Sequence, residues 1–139
     1  MTDTQPPALP PVSGGIVPYL QPSNATAAAE FYAKAFGAEV LYQIPPDEHG
    51  RTMHIHLRVN GNSLMLSDAY PDHGHPLETP GAFTLHMQVD DVDAWFDRAA
   101  KAGCQVLLPV QLMFWGDRYG QLKDPYGFSW SIATTPAKP

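Results

Sequence analysis

The sequence has one cysteine, Cys104, so no disulfide can close within the chain. Basic residues are scarce: 8 Lys and Arg stand against 14 Asp and Glu, giving a formal charge of -6 and a pI near 5.3. Such a surface repels nucleic acid and anionic membranes, so neither is an expected partner. No run approaches the ~18 apolar residues of a membrane-spanning helix. Met1 to Pro11 is polar and proline-rich rather than basic and then apolar, so no secretory leader is expected and a cytoplasmic location is the expectation. A phosphate-cradling glycine loop ending in Lys and Ser or Thr is missing, as is a G-x-S-x-G elbow; both absences remove nucleotide-driven and serine-hydrolase chemistry. Cys104 falls early in a predicted buried strand with no activating neighbour in sequence.

What is present is a duplication. Gly15 and Gly81, Gly37 and Gly103, Gly50 and Gly116, and Gly61 and Gly127 stand 66 residues apart. Ala28/Ala94, Ala33/Ala99, Val40/Val106, Leu41/Leu107 and Ser63/Ser129 match at the same offset. That makes 9 identities over residues 15–69, against about four expected from average residue usage. Paired glycines mean that two stretches turn at the same places. With 139 residues, 44% of them hydrophobic, the chain supports one core rather than two. The expected organisation is a disordered arm over 1–14, a single domain over 15–133 (module one 15–69, linker 70–80, module two 81–133) and a flexible tail over 134–139.

Each copy reads as βαβββ. In the first, Ile16 to Leu20 is a short strand, Asn24 caps a helix over Ala25 to Phe36 that stops at Gly37, and strands follow over Ala38–Ile44, Thr52–Val59 and Ser63–Ser67. In the second, Phe83 to Val89 alternates with period two, Asp90 or Asp91 caps a helix over Val92 to Ala102, and strands follow over Cys104–Leu108, Arg118–Lys123 and Phe128–Ala133. The fold class is therefore α+β, with two βαβββ modules forming a curved, partly open mixed sheet around a groove. Alternation puts Met53, Ile55, Leu57, Val59, Leu64, Leu66, Trp130 and Ile132 under the helices. It turns His54, His56, Arg58, Ser63, Met65 and Ser67 to the other face, with Thr84, His86, Gln88, Ser129 and Ser131 on the matching face of module two. Helices on one face only leave the second face free to line a small-molecule groove.

His54, His56 and His86 are the sharpest candidates. Three imidazoles on one face can hold a divalent metal, supply a general base near neutral pH, contact an organic ligand, or serve as ordinary hydrogen-bonded histidines. Asp68 is the nearest acidic neighbour, as a ligand, a base or a turn residue. His73, His75 and Glu78 belong to the linker, as a loose metal site or a solvated loop. Phe114-Trp115-Gly116-Asp117-Arg118-Tyr119-Gly120 gathers aromatic rings and a fixed cation in one loop, which suits either stacking on a planar or anionic ligand or closure of the core. Trp115 and Arg118 join the three histidines as candidate ligand-binding residues. Asp124-Pro125-Tyr126-Gly127 reads as a turn with no chemistry assigned.

Several segments carry a family resemblance: Val17-Pro18-Tyr19-Leu20, Ala28 to Gly37 (AAEFYAKAFG), Met53-His54, Leu64 to Asp68, Val89 to Val92, Gly116-Asp117-Arg118 and Asp124 to Ser131. Over residues 16–133 the chain resembles the vicinal oxygen chelate superfamily of glyoxalases, bleomycin-resistance proteins and dioxygenases, and most closely its PhnB-like branch. The resemblance implies paired βαβββ modules, a homodimer, a small-molecule ligand and, in metal-dependent members, one metal ligand on the first and last strand of each module. Those places fall near Val17 or Pro18, near Met65 or Ser67, at about Thr84 and at Ser131, and none offers a His or Glu. The expectation is a PhnB-like small-molecule-binding protein with no cofactor and no catalytic residue assigned, its ligand organic or anionic. The alternatives are a glyoxalase-like lyase, isomerase or dioxygenase with Zn, Ni, Mn or Fe at a displaced site of His54, His56 and His86, and a non-catalytic dimeric interaction module. A demethylubiquinone methyltransferase label attached to some relatives finds no support, for lack of a glycine-rich cofactor loop.

Overall fold

Helix α1 (Ala25–Phe36) begins where Asn24, in extended backbone, accepts the Ala27 amide on its side chain at 3.0 Å. It ends where Gly37 takes φ 68°, left-handed geometry that glycine adopts without strain. Helix α2 (Val92–Ala102) repeats the plan, with Asp91 accepting from the Ala94 amide at 3.2 Å and Gly103 closing the last turn at φ 130°. Both helices match the expected bounds because their stops are written locally in sequence. These are features of a computed structural model that describes residues 9–137.

The strands are β1 (Tyr19–Leu20), β2 (Glu39–Gln43), β3 (Ile55–Val59), β4 (Asn62–Leu66), β5 (Leu85–Gln88), β6 (Gln105–Leu112), β7 (Arg118–Lys123) and β8 (Ser129–Thr134). They form two open four-stranded sheets, ordered β1-β4-β3-β2 and β5-β8-β7-β6. In each, the first strand pairs parallel with the last and the remaining pairs are antiparallel. This is the α+β architecture of two βαβββ modules that the repeat predicts.

Several ends differ from expectation. β1 is two residues rather than Ile16 to Leu20: Pro18 lacks an amide hydrogen, and Ile16 is 92% exposed. β3 starts at Ile55 rather than Thr52, because Thr52 is pinned instead, its amide donating to Asp68 Oδ2 at 2.8 Å and its hydroxyl to the Ile44 carbonyl. Met53 consequently leaves the helix side and stands 65% exposed, a correction to the alternation rule. β6 runs on to Leu112 through Pro109, tolerated on an edge strand whose register shifts twice. The linker is more ordered than a flexible crossing: Tyr70 and His75 exchange backbone hydrogen bonds around a 3-10 turn at Pro71–His73. Of the arm expected over 1–14, residues 1–8 lie outside the described residues, and Ser13 exchanges hydrogen bonds with Ser63 of β4. Of the tail expected over 134–139, residues 138 and 139 lie outside them, and Thr134 closes β8.

One core joins the modules. Tyr32 and Phe36 of α1 pack on Trp130 of β8, with ring centroids 5.5 and 4.5 Å apart. The Tyr32 hydroxyl donates to buried Asp124 at 2.6 Å. The same carboxylate accepts from Trp130 Nε1 and from the amides of Tyr126 and Phe128, so all four donors are satisfied away from water. Burial, reinforced by the adjacent Asp124, keeps the Tyr32 phenol protonated. On the surface, Arg98 of α2 donates to the Lys34 carbonyl at the end of α1 and to the Ala33 carbonyl, which also accepts the Gly37 amide, so it ties the two helices together.

Candidate functional site: the seam between the modules

β1 and β5 stand at the edges of their sheets, and among the described residues no ladder joins them. The amides of Met65 and Ser67 donate to the carbonyls of Pro18 and Leu20, so Pro18 and Leu20 point their peptide groups at β4 and Tyr19 points its own the other way. The Val89 amide donates to Ala133, so Leu85, Met87 and Val89 serve β8, while His86 and Gln88 direct theirs out of the sheet edge. The Gln88 carbonyl takes the Asn60 side-chain amide at 2.9 Å, a tie from the β3–β4 turn. Between these elements lies a cavity of about 260 Å³. Val59, Leu64, Leu85, Met87 and Trp130 form its apolar walls, and Asn60, Asn62, Ser63, His86 and Gln88 supply polar groups.

His86 is the best-oriented of these groups. Its Nε2 lies 2.9 Å from Gln88 Oε1, and the Gln88 amide nitrogen is turned to Thr135 Oγ1. Oε1 only accepts, so Nε2 carries hydrogen, and in the neutral ring Nδ1 accepts from Ser131 Oγ–H at 2.7 Å. The ring also stacks on Tyr119 at 6.2 Å and 18°. Tyr119 in turn meets Trp115 edge-on at 5.4 Å, and Trp115 meets Phe114 at 5.0 Å, so an aromatic row runs from His86 to the exposed tip of the β6–β7 hairpin.

Module one treats its histidines differently. His56 is buried, its Nε2 2.7 Å from Ser63 Oγ, which also accepts the Ser13 amide. The Ser63 hydroxyl hydrogen is thereby free to donate to the ring. His54, just before β3, accepts from the Tyr19 hydroxyl at Nδ1 (2.7 Å) and sits among the rings of Tyr19 and Tyr42. Burial, and then the neighbouring His56, hold His54 below the ordinary histidine range. Burial also raises the Tyr19 phenol, so it stays a donor.

The five expected ligand contacts thus separate. His86 lines the seam and Trp115 reaches it through Tyr119, while His54 and His56 remain in module one. Arg118 is turned to the opposite face from Tyr119, and its guanidinium is held bidentately by Asp93 of α2 at 2.8 and 3.1 Å. That corrects its expected place in the groove, because the loop reading ignored strand parity one residue into β7. Among the described residues, no group of three or more His, Cys, Asp or Glu is placed to hold a metal ion. Asp68 is a buried structural acceptor for the Ala25 and Thr52 amides rather than a base. Burial pushes the Cys104 thiol up to about 12, leaving it inert. The sequence reading leaves out Asn60 and Asn62; the turn Asn60-Gly61, with Asn60 at φ 51°, is the available signal for both.

The fold is a pair of βαβββ modules, each with its first strand at the edge of its own four-stranded sheet. The model of the Glyoxalase/Bleomycin resistance protein/Dioxygenase superfamily matches residues 16–132, and the chain belongs to that superfamily. It is 41% identical over 128 residues to the uncharacterised protein Rv0887c of Mycobacterium tuberculosis, covering 87% of this chain and 74% of that one. Among solved structures it is similar to PA1353 of Pseudomonas aeruginosa (TM-score 0.72, 28% identity, 88% of this chain and 98% of that one). The PhnB protein of Bacillus cereus is another such neighbour (TM-score 0.68, 26% identity, 87% and 99%).

Proposed function

We propose that this chain is a PhnB-like small-molecule-binding protein that holds a small organic ligand in the seam between its modules, without a resident metal. The observation that carries the reading is the cavity itself, about 260 Å³ with apolar walls and a few convergent polar groups, of which His86 has both ring nitrogens fixed. The metal-free part rests on donor chemistry: the places where the family resemblance puts metal ligands, near Val17 or Pro18, near Met65 or Ser67, at about Thr84 and at Ser131, offer no His or Glu, and Ser131 is hydrogen-bonded to His86. A cytoplasmic setting suits a chain whose lone cysteine is buried. A homodimer suits the exposed apolar side chains Ile16 (92%), Leu112 (66%) and Phe114 (96%), since such residues find cover at interfaces.

A thermal-shift screen of a soluble compound library tests the binding reading. Hits are expected to raise the melting temperature and to move the Met87 methyl and Trp130 indole signals; hits that move neither overturn it. Metal analysis after purification without a histidine tag tests the second part. Stoichiometric Zn, Ni, Mn or Fe that is lost in a His54→Ala/His86→Ala double variant overturns the metal-free reading. Light scattering is expected to report twice the 15.2 kDa chain mass.

A further inference from the structure

The seam has an unusual combination of features for a ligand site, and the following inference rests on the small-molecule reading above. Among the described residues its lining contains no Asp, Glu, Lys or Arg. Arg118 is held by Asp93, and Arg58, next in sequence to the lining residue Val59, lies 4.0 Å from Glu39. A charged ligand entering this cavity would give up water on its buried side and meet no counter-charge in the lining. An uncharged ligand needs none.

Beside the side chains of Asn60, Asn62 and Ser63, the seam offers peptide groups. By the parallel register of β5 on β8, the His86 amide and carbonyl and the Gln88 amide point out of the β5 edge, and among the described residues no strand receives them. The Gln88 carbonyl is the exception, and Asn60 caps it. The His86 side chain is occupied on both nitrogens, which leaves the backbone of the same residue as its open polar surface. One N–H and one C=O from a single residue on an open edge match the acceptor and donor of an amide pair, the pairing by which extended peptides add to a sheet edge.

We infer that the seam selects an uncharged, amide-bearing small molecule, which offers one carbonyl to the His86 amide and one N–H to the His86 carbonyl while its apolar part rests on Leu85, Met87 and Trp130. The anionic ligand class is thereby disfavoured for this cavity.

The test compares N-acetylalanine N-methylamide with N-acetylalanine, the same skeleton ending in a carboxylate, by titration into the 15N-labelled protein. The neutral diamide is expected to shift the His86 and Gln88 amides and to protect the His86 amide from hydrogen exchange; the carboxylate should do neither at equal concentration. Two variants isolate the backbone contact. His86→Ala and His86→Pro both remove the imidazole, but only proline removes the outward amide, and the ladder to β8 is made by residues 85, 87 and 89. His86→Pro should bind the diamide about tenfold more weakly than His86→Ala, the value of one hydrogen bond. Equal affinity in the two variants, unchanged His86 exchange in the wild type, or preference for the carboxylate each overturn this inference while leaving the seam a binding site. Seam resonances that respond to no compound in the library overturn the binding reading itself.

Discussion

The two modules share a fold and a 66-residue offset, yet they spend their polar residues differently. At the end of β4, Asp68 accepts the Ala25 amide and anchors the start of α1. Its counterpart 66 residues on is Thr134, which accepts the Val92 amide at the start of α2 and returns its own proton to the Val89 carbonyl. One position thus does the same job with a carboxylate in one copy and a hydroxyl in the other. The histidines diverge further. Module one encloses His56 behind Ser63 and Ser13, whereas module two presents His86 at an unpaired edge. Duplication therefore preserves the helix anchors that the fold needs and leaves each copy free in what it does with its second sheet face.

The sharpest way to break this symmetry is at Asp124, which has no carboxylate counterpart in module one, where Arg58 stands. Asp124→Ala strands the Tyr32 hydroxyl, the Trp130 indole and two backbone amides in the core. Each unsatisfied donor costs about 1–3 kcal/mol, and with partial relaxation the expected loss is about 4 kcal/mol in urea unfolding. A loss below about 1 kcal/mol would mean that the modules are not latched there. Next comes the anchor pair. Asp68→Ala removes the acceptor of two buried amides and should cost about 2 kcal/mol; Thr134→Val removes one and should cost about 1 kcal/mol. Equal costs would show that the two anchors are energetically interchangeable despite their chemistry.

Much of this was legible in the sequence because it is local. Asn24, Gly37, Asp91 and Gly103 mark both helices to the residue, and period-two alternation placed Ile55, Leu57, Leu64 and Trp130 correctly inside. The misses are long-range. Thr52 is held by Asp68, 16 residues away, and that contact cut β3 short and exposed Met53. Tyr32 and Asp124 are 92 residues apart, so Asp124 looked like a turn residue only. Both roles are real, since its Oδ1 holds the turn amides while its Oδ2 holds the latch. The site was partly legible: parity placed His86, Gln88 and Ser131 together, but the seam depends on two edges failing to pair, which no pattern within one strand encodes.

The smallest expected effect concerns His54, which is held below the ordinary histidine range. His54 is shifted down by burial and then by His56, relative to a reference value of 6.5. The unfolded chain therefore binds a proton at this site before the folded chain does. Stability from this group is fully present above pH 6.5 and is lost as pH falls from there through the lowered folded value, below which the loss is complete. Protonation would also force the Tyr19 hydroxyl to turn from donor to acceptor at Nδ1, or toward the Met53 carbonyl at 3.4 Å. His54→Phe keeps a ring among Tyr19 and Tyr42 but removes the titration. Urea midpoints of the wild type between pH 7.5 and 5 should therefore fall more steeply than those of the variant. Parallel curves for the wild type and His54→Phe would place the acid sensitivity elsewhere and erase this difference between the two copies.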